Sequence, residues 1–129
     1  MRTRQRVLEI LVLSLAAAWL CLSKPTDRKS VFLPPSLIPE HYEISLAPRL
    51  DKGVFQGVVV ISGIAIAVAD RIVLHCKNLL FNTTSLTDLT TDEELVIEDI
   101  EEDIILQQCH LLLNQSLRVD HEYRLSLEF

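Results

Sequence analysis

The segment His121-Glu122-Tyr123-Arg124-Leu125-Ser126-Leu127-Glu128-Phe129 decides the fold class. Tyr123, Leu125, Leu127 and Phe129 alternate with Arg124, Ser126 and Glu128. In an extended chain successive side chains point to opposite faces, so this period of two puts the apolar groups on one face and the polar groups on the other. A helix would scatter the same residues around its circumference. Working backward, Tyr42, Ile44 and Leu46 alternate with Glu43 and Ser45 in a second half-buried strand, and Pro48 and Asp51-Lys52-Gly53 supply the turn that ends it. In Val54 to Ala69, Phe55, Gly57, Val59 and Ile61 share one face, while Val58, Val60, Ile64, Ile66 and Val68 dominate the rest. This run is one long buried strand or two short ones, with Gly63 a candidate bulge. It is too short before Asp70 and Arg71, and too rich in β-branched residues, to read as a membrane span.

Arg71 to Cys76 alternates again, with Ile72 and Leu74 opposed to Val73 and His75, and Lys77-Asn78 makes a turn before Leu79-Leu80-Phe81. Asn82 to Thr91, rich in Thr, Ser and Asp, reads as a surface loop. Asp92 to Asp103 holds eight acids in twelve residues, with Leu95, Val96, Ile97 and Ile100 between them. That spacing fits either a short helix or an acidic hairpin. Ile104 to Leu113 is apolar once more. Upstream, Leu33-Pro34-Pro35 and Pro39 force an extended, turn-rich entry. With no internal repeat, the expected class is all-β, an antiparallel sandwich.

The N-terminus has a different character. Arg2, Arg4 and Arg6 precede an apolar run, Val7 to Leu22, of 16 residues interrupted by Glu9. As a helix it spans about 24 Å, short of the roughly 30 Å hydrocarbon core. Cys21 and Ser23 supply small residues ahead of a cut between Ser23 and Lys24, and Ala16 and Ala18 offer an earlier site. Residues 1–23 therefore read as a signal peptide, with an uncleaved signal anchor as the rival and a buried core helix as the bland alternative. Either export reading places the remainder outside the cell or on the extracellular face of the membrane. Residues 24–32 form a polar linker and 33–129 one domain. Beyond residue 23 the chain carries nine bases against seventeen acids, a net of −8. That balance argues against nucleic acid or an anionic membrane surface as partner.

An exported chain meets an oxidising compartment. Cleavage leaves two cysteines, Cys76 and Cys109, an even count that permits one disulfide. Asn82-Thr83-Thr84 and Asn114-Gln115-Ser116 are N-glycosylation sequons, which makes Asn82 and Asn114 candidate acceptors in expected loop settings.

Three constellations invite a metal. His121-Glu122 opens a zincin-like motif, but Leu125 stands where the second His is required, and the segment alternates as a strand. His75-Cys76 and Cys109-His110 contain two His and two Cys, yet neighbours in a strand point to opposite faces; a disulfide or two buried thiols is the simpler reading. Asp99, Glu101, Glu102 and Asp103 lack the alternating ligands and central Gly of a calcium loop, so a solvated acidic face is the plainer reading. Gly-rich phosphate loops and Gly-x-Ser-x-Gly are absent, and no spacing of Ser, His and Asp singles out a triad.

Taken together, the strands resemble a known family. Leu33-Pro34, Pro39, His41-Tyr42 and Leu46 resemble the opening of the aminopeptidase N-like zinc metallopeptidases. Phe55-x-Gly57-x-Val59-x-Ile61, Ile72-Val73-Leu74-His75 with Asn78-Leu79, and Leu117 with Tyr123 to Phe129 resemble three further strands in the same order. The resemblance implies the saddle-shaped N-terminal β domain, which in the family packs against a thermolysin-like catalytic domain. The family's Gly-x-Met-Glu-Asn loop, His-Glu-x-x-His zinc motif and catalytic Tyr have no counterpart here. No catalytic or metal-binding residue is therefore expected in this chain, and zinc is expected only in the full-length family.

The implied function is the non-catalytic N-terminal part of a secreted or membrane-tethered zinc aminopeptidase that removes N-terminal residues from peptides. Alone it is expected to be inactive, and its implied partner is the parent enzyme's catalytic domain. A free-standing secreted β module that binds a protein partner is the competing reading. The family pattern continues with a Gly after Phe129, so the domain is expected to be incomplete, with Tyr123 to Phe129 left near an open edge.

Overall fold

The structure, a computed structural model, describes residues 31–129. The signal peptide expected over residues 1–23, the expected Ser23–Lys24 cut and most of the expected linker lie outside the described residues. Eight strands follow in chain order: β1 (Leu37–Arg49), β2 (Val54–Ala65), β3 (Ala69–His75), β4 (Thr83–Asp88), β5 (Glu93–Leu95), β6 (Ile97–Asp103), β7 (Gln108–Leu117) and β8 (Glu122–Glu128). They form a five-stranded sheet in the order β1-β2-β8-β4-β5 and a three-stranded sheet in the order β3-β7-β6. Every pairing is antiparallel, which gives the all-β antiparallel class expected from the alternation.

The core lies between the sheets. The larger sheet contributes Ile61, Ala65, Leu86, Leu95, Tyr123, Leu125 and Leu127, and the smaller contributes Ile72, Leu111, Leu113 and Leu117. Each fully buried leucine contributes about 1.5–3 kcal/mol relative to an exposed one. Cys76 and Cys109 are bonded as a disulfide with Cα atoms 5.7 Å apart, joining the end of β3 to the start of β7 within this core.

Strand β8 departs from the expectation of an open edge. It is central, paired to β2 on one side and to β4 on the other. Phe129 prolongs the ladder: its N–H donates to the Gly57 carbonyl at 2.9 Å, and its carbonyl accepts from the Gly57 N–H at 2.7 Å. The reading missed this because one of the two flanking strands, β4, lay hidden in Asn82 to Thr91. Most of that segment is strand, and only Leu89 to Thr91 turn. Thr83, Ser85 and Thr87 point outward, while Leu86 and Asp88 are wholly buried opposite Leu125 and Tyr123.

The acidic stretch is neither helix nor hairpin. Its residues divide between β5, paired to β4 in the larger sheet, and β6, paired to β7 in the smaller, with Val96 as the crossover. The apolar run from Ile104 begins as a turn with Ile104 and Ile105 exposed, and β7 starts at Gln108. Val54 to Ala69 resolves into one strand ending at Ala65 and the start of β3, with Ile66 and Val68 exposed between them. Its first residues, Val54, Phe55 and Val58, are exposed rather than buried. The bulge falls on β1, between Pro39 and His41, and Gly63 faces it. A Cβ at Gly63 would lie 2.9 Å from the Pro39 Cα and against the Ile38 carbonyl oxygen, so only glycine allows the two backbones this close. The turns at Gly53 and Asn78 use positive φ, 64° and 56°, as their residue types permit.

Candidate functional site

The two sheets differ in width, and the difference creates a surface. Cross-strand partners share a face, so Tyr42, Ile44 and Leu46 of β1 lie on the same side of the larger sheet as Ile61, Val59 and Gly57, the side that carries Leu125 and Leu127. Over β8 and β4 that side meets the smaller sheet. Over β1 and the start of β2 it is uncovered: Tyr42, Ile44, Leu46 and Phe55 are 52%, 63%, 57% and 53% exposed. Opposite them on β1, His41, Glu43 and Ser45 keep the polar alternation of a strand with a buried face. The patch is organised by Gly57. A Cβ there would come within 2.6 Å of Leu46 Cδ2 and 2.9 Å of the Phe129 ring, so the missing side chain lets both lie over the strand. Phe129 in turn meets Phe55 edge-to-face at 6.1 Å between centroids. Tyr42, Ile44, Leu46, Phe55 and Phe129 thus form an exposed apolar surface on the open half of the larger sheet.

A polar network closes the opposite end of β8. Asp88, only 1% exposed, accepts hydrogen bonds from the Thr90 and Thr91 backbone N–H groups at 2.9 and 3.3 Å, and its Oδ2 lies 2.7 Å from His121 Nδ1. Burial pushes the Asp88 carboxyl up, but His121 and the two N–H groups outweigh it and hold the group below the ordinary carboxylate range. The Tyr123 hydroxyl accepts from the Arg118 N–H at 2.8 Å, five residues upstream, in the manner of the tyrosine corner of β-sandwiches. Burial raises the Tyr123 phenol above its ordinary value, with the Asp88 charge adding to the effect. The network ties the β4 end to the turn before β8.

The structure shows what the residues of the metal constellations do instead. His121 is paired with Asp88, and Leu125 is buried in mid-strand, so no helical zincin face exists. Cys76 and Cys109 are bonded to each other, and His110, next to Cys109, lines a cleft of about 1090 Å³ on the outer face of the smaller sheet. In the acidic stretch, Asp103 Oδ1 accepts from the Ile105 and Leu106 N–H groups at 3.0 Å each, and Asp99 Oδ1 from Ile100 at 2.8 Å. Asp103 shapes the turn that follows β6, whereas Asp99 bonds its own neighbour within the strand. Among the described residues no three His, Cys, Asp or Glu side chains converge.

Both sequon asparagines are exposed. Asn82 directly precedes β4, its N–H donating to the Glu128 carbonyl at 2.8 Å. Asn114 lies within β7, not in a loop. The Asp88 network escaped the sequence reading because its partners lie 33 residues apart in the chain; the one available signal was a Tyr at the start of the strand. The disulfide, the paired sheets and the uncovered apolar face belong to a domain with a match among known families. Residues 38–129 match the Peptidase M1 N-terminal domain, and the chain belongs to that family.

Proposed function

We propose that this chain is the N-terminal, non-catalytic part of a secreted or membrane-tethered zinc aminopeptidase, and that the uncovered half of its larger sheet docks on the catalytic domain of that enzyme. The observation that carries the reading is the Tyr42, Ile44, Leu46, Phe55 and Phe129 surface. Its alternation is that of a buried face, and nothing among the described residues buries it. Membership of the Peptidase M1 N-terminal domain family supports the parent enzyme as its partner. The domain supplies binding area and shape rather than chemistry. On this reading zinc coordination and the hydrolysis of peptide N-terminal residues belong to the partner, because the family's zinc motif has no counterpart in this sequence.

The transcript tests the reading directly. A reading frame that continues past Phe129 into a His-Glu-x-x-His motif is the expected result, and a stop codon in place of that continuation would sink it. In the protein of that longer frame, Ile44→Asp and Leu46→Asp are expected to loosen the contact between the β domain and the remainder. Accelerated hydrogen exchange at the domain boundary is the measurement.

A further inference from the structure

Strand β7 carries a sequon where the sheet opens. Its ladder with β3 runs from His75↔Gln108 to Arg71↔Leu112 and resumes only at Ala69↔Leu117. Leu113 to Ser116 therefore stand opposite the single residue Asp70, and Asn114, Gln115 and Ser116 are all exposed. On its other side β7 pairs with β6 only as far as Leu113↔Ile97. The sequon thus occupies a bulge that neither neighbouring strand covers.

Asn114 is also fastened there. Its N–H donates to the Val96 carbonyl at 3.0 Å, and its Oδ1 accepts from the Val96 N–H at 3.0 Å. Val96 is the residue between β5 and β6, where the chain crosses from the larger sheet to the smaller. One half of the Asn114 amide therefore holds the crossover. The other half, Nδ2, makes no hydrogen bond among the described residues.

We propose that Asn114 is an N-glycan acceptor whose two amide atoms have separate tasks, Nδ2 bearing the sugar and Oδ1 holding Val96. The donor is an oligosaccharide carried on a lipid pyrophosphate. The bond between Asn114 Nδ2 and sugar C1 forms, the bond between C1 and the pyrophosphate oxygen breaks, and one Nδ2 proton is lost as the lipid pyrophosphate departs. The product is still an amide, so Oδ1 remains an acceptor and the folded crossover is preserved. The glycan stands beside β5, the edge opposite β1. The attachment point and the apolar patch thus lie toward opposite edges of the larger sheet, four strand spacings or about 19 Å apart.

The inference rests on the export half of the proposed function and is tested separately from the docking half. The full chain, with its own N-terminus, is produced in secretory cells, and the product is treated with peptide N-glycosidase in heavy-oxygen water. The peptide containing residue 114 is expected to carry a heavy-oxygen aspartate at that position. Ser116→Ala is expected to abolish the label while leaving hydrogen-exchange protection of the Val96 amide unchanged. Asn114→Ala is expected to abolish the label and speed Val96 exchange, whereas Asn114→Asp loses the label but retains the acceptor and the protection. Recovery of Asn114 unmodified overturns the proposal, whether the chain was exported or never entered the lumen. Equal Val96 exchange in Asn114→Ala and Ser116→Ala overturns the division of tasks. A labelled Asn114 together with a stop codon directly after Phe129 leaves the glycan standing and removes the enzyme-part reading.

Discussion

Two halves of one sheet face carry the same pattern and meet opposite fates. On β8, Tyr123, Leu125 and Leu127 are at most 2% exposed; on β1, Tyr42, Ile44 and Leu46 are more than half exposed. Both strands alternate strictly, and both point their apolar side chains to the same side. The difference is cover. The smaller sheet has three strands against five, and the buried core reaches from β5 to the second half of β2 but not to β1. Alternation states which face of a strand avoids water. Whether anything is there to exclude the water is a property of the whole fold, or of a partner.

The largest expected effects break the covered half. Leu125→Ala removes a fully buried side chain facing the smaller sheet and is expected to cost about 2–5 kcal/mol. Ile44→Ala on the open half is expected to change stability by about 0.5 kcal/mol or less. Urea unfolding of the two variants measures the contrast directly; equal losses would mean that β1 is already buried in the isolated chain.

Next comes the staple of the covered half. Cys76 and Cys109 are 33 residues apart in sequence, and closing such a loop contributes about 3–4 kcal/mol in the chain-entropy account. The double replacement by Ala is expected to lower the urea midpoint accordingly. Thiol labelling of the denatured, unreduced wild type is expected to find neither cysteine reactive.

The Asp88 network is expected to contribute less, and with a pH signature. Its carboxyl is held below the ordinary value of 3.8, so the folded state binds fewer protons than the unfolded state in that range. The stabilisation is complete well above pH 3.8, declines as pH falls below it, and is gone once pH has passed through the lowered folded value. Asp88→Asn is expected to flatten the acid limb of melting temperature against pH and to cost about 1–3 kcal/mol near neutrality. An acid limb identical to wild type would show that other carboxylates govern it.

The smallest effect on stability is the most informative about the open half. Ile44→Asp is expected to shift unfolding by about 0.5 kcal/mol or less while reducing self-association of the isolated chain in sedimentation, because β1 is both an open edge and an apolar face. Unchanged association would place the sticky surface elsewhere, with exposed Phe32, Leu80 and Ile105 the next residues to test.

The sequence by itself determined the antiparallel class, the strands β1, β2, β3 and β8, and the turns at Gly53 and Asn78, because alternation and positive-φ residues are local signals. It determined equally that no zincin pair exists, since Leu125 stands where a ligand is required. It did not disclose β4. In Thr83 to Asp88 the outward positions are hydroxyl residues, and one of the buried ones is an aspartate whose burial depends on His121 and on two N–H groups of the following turn. It left the acidic stretch open between helix and hairpin, since the answer was a crossover between sheets held by Asn114, eighteen residues from its partner. The tertiary structure alone decided that β8 is central and β1 is the edge, and hence which apolar face is core and which is free to meet a partner. Strand order depends on pairings between distant segments, and those are set by the packing of the whole chain rather than by any single stretch of it.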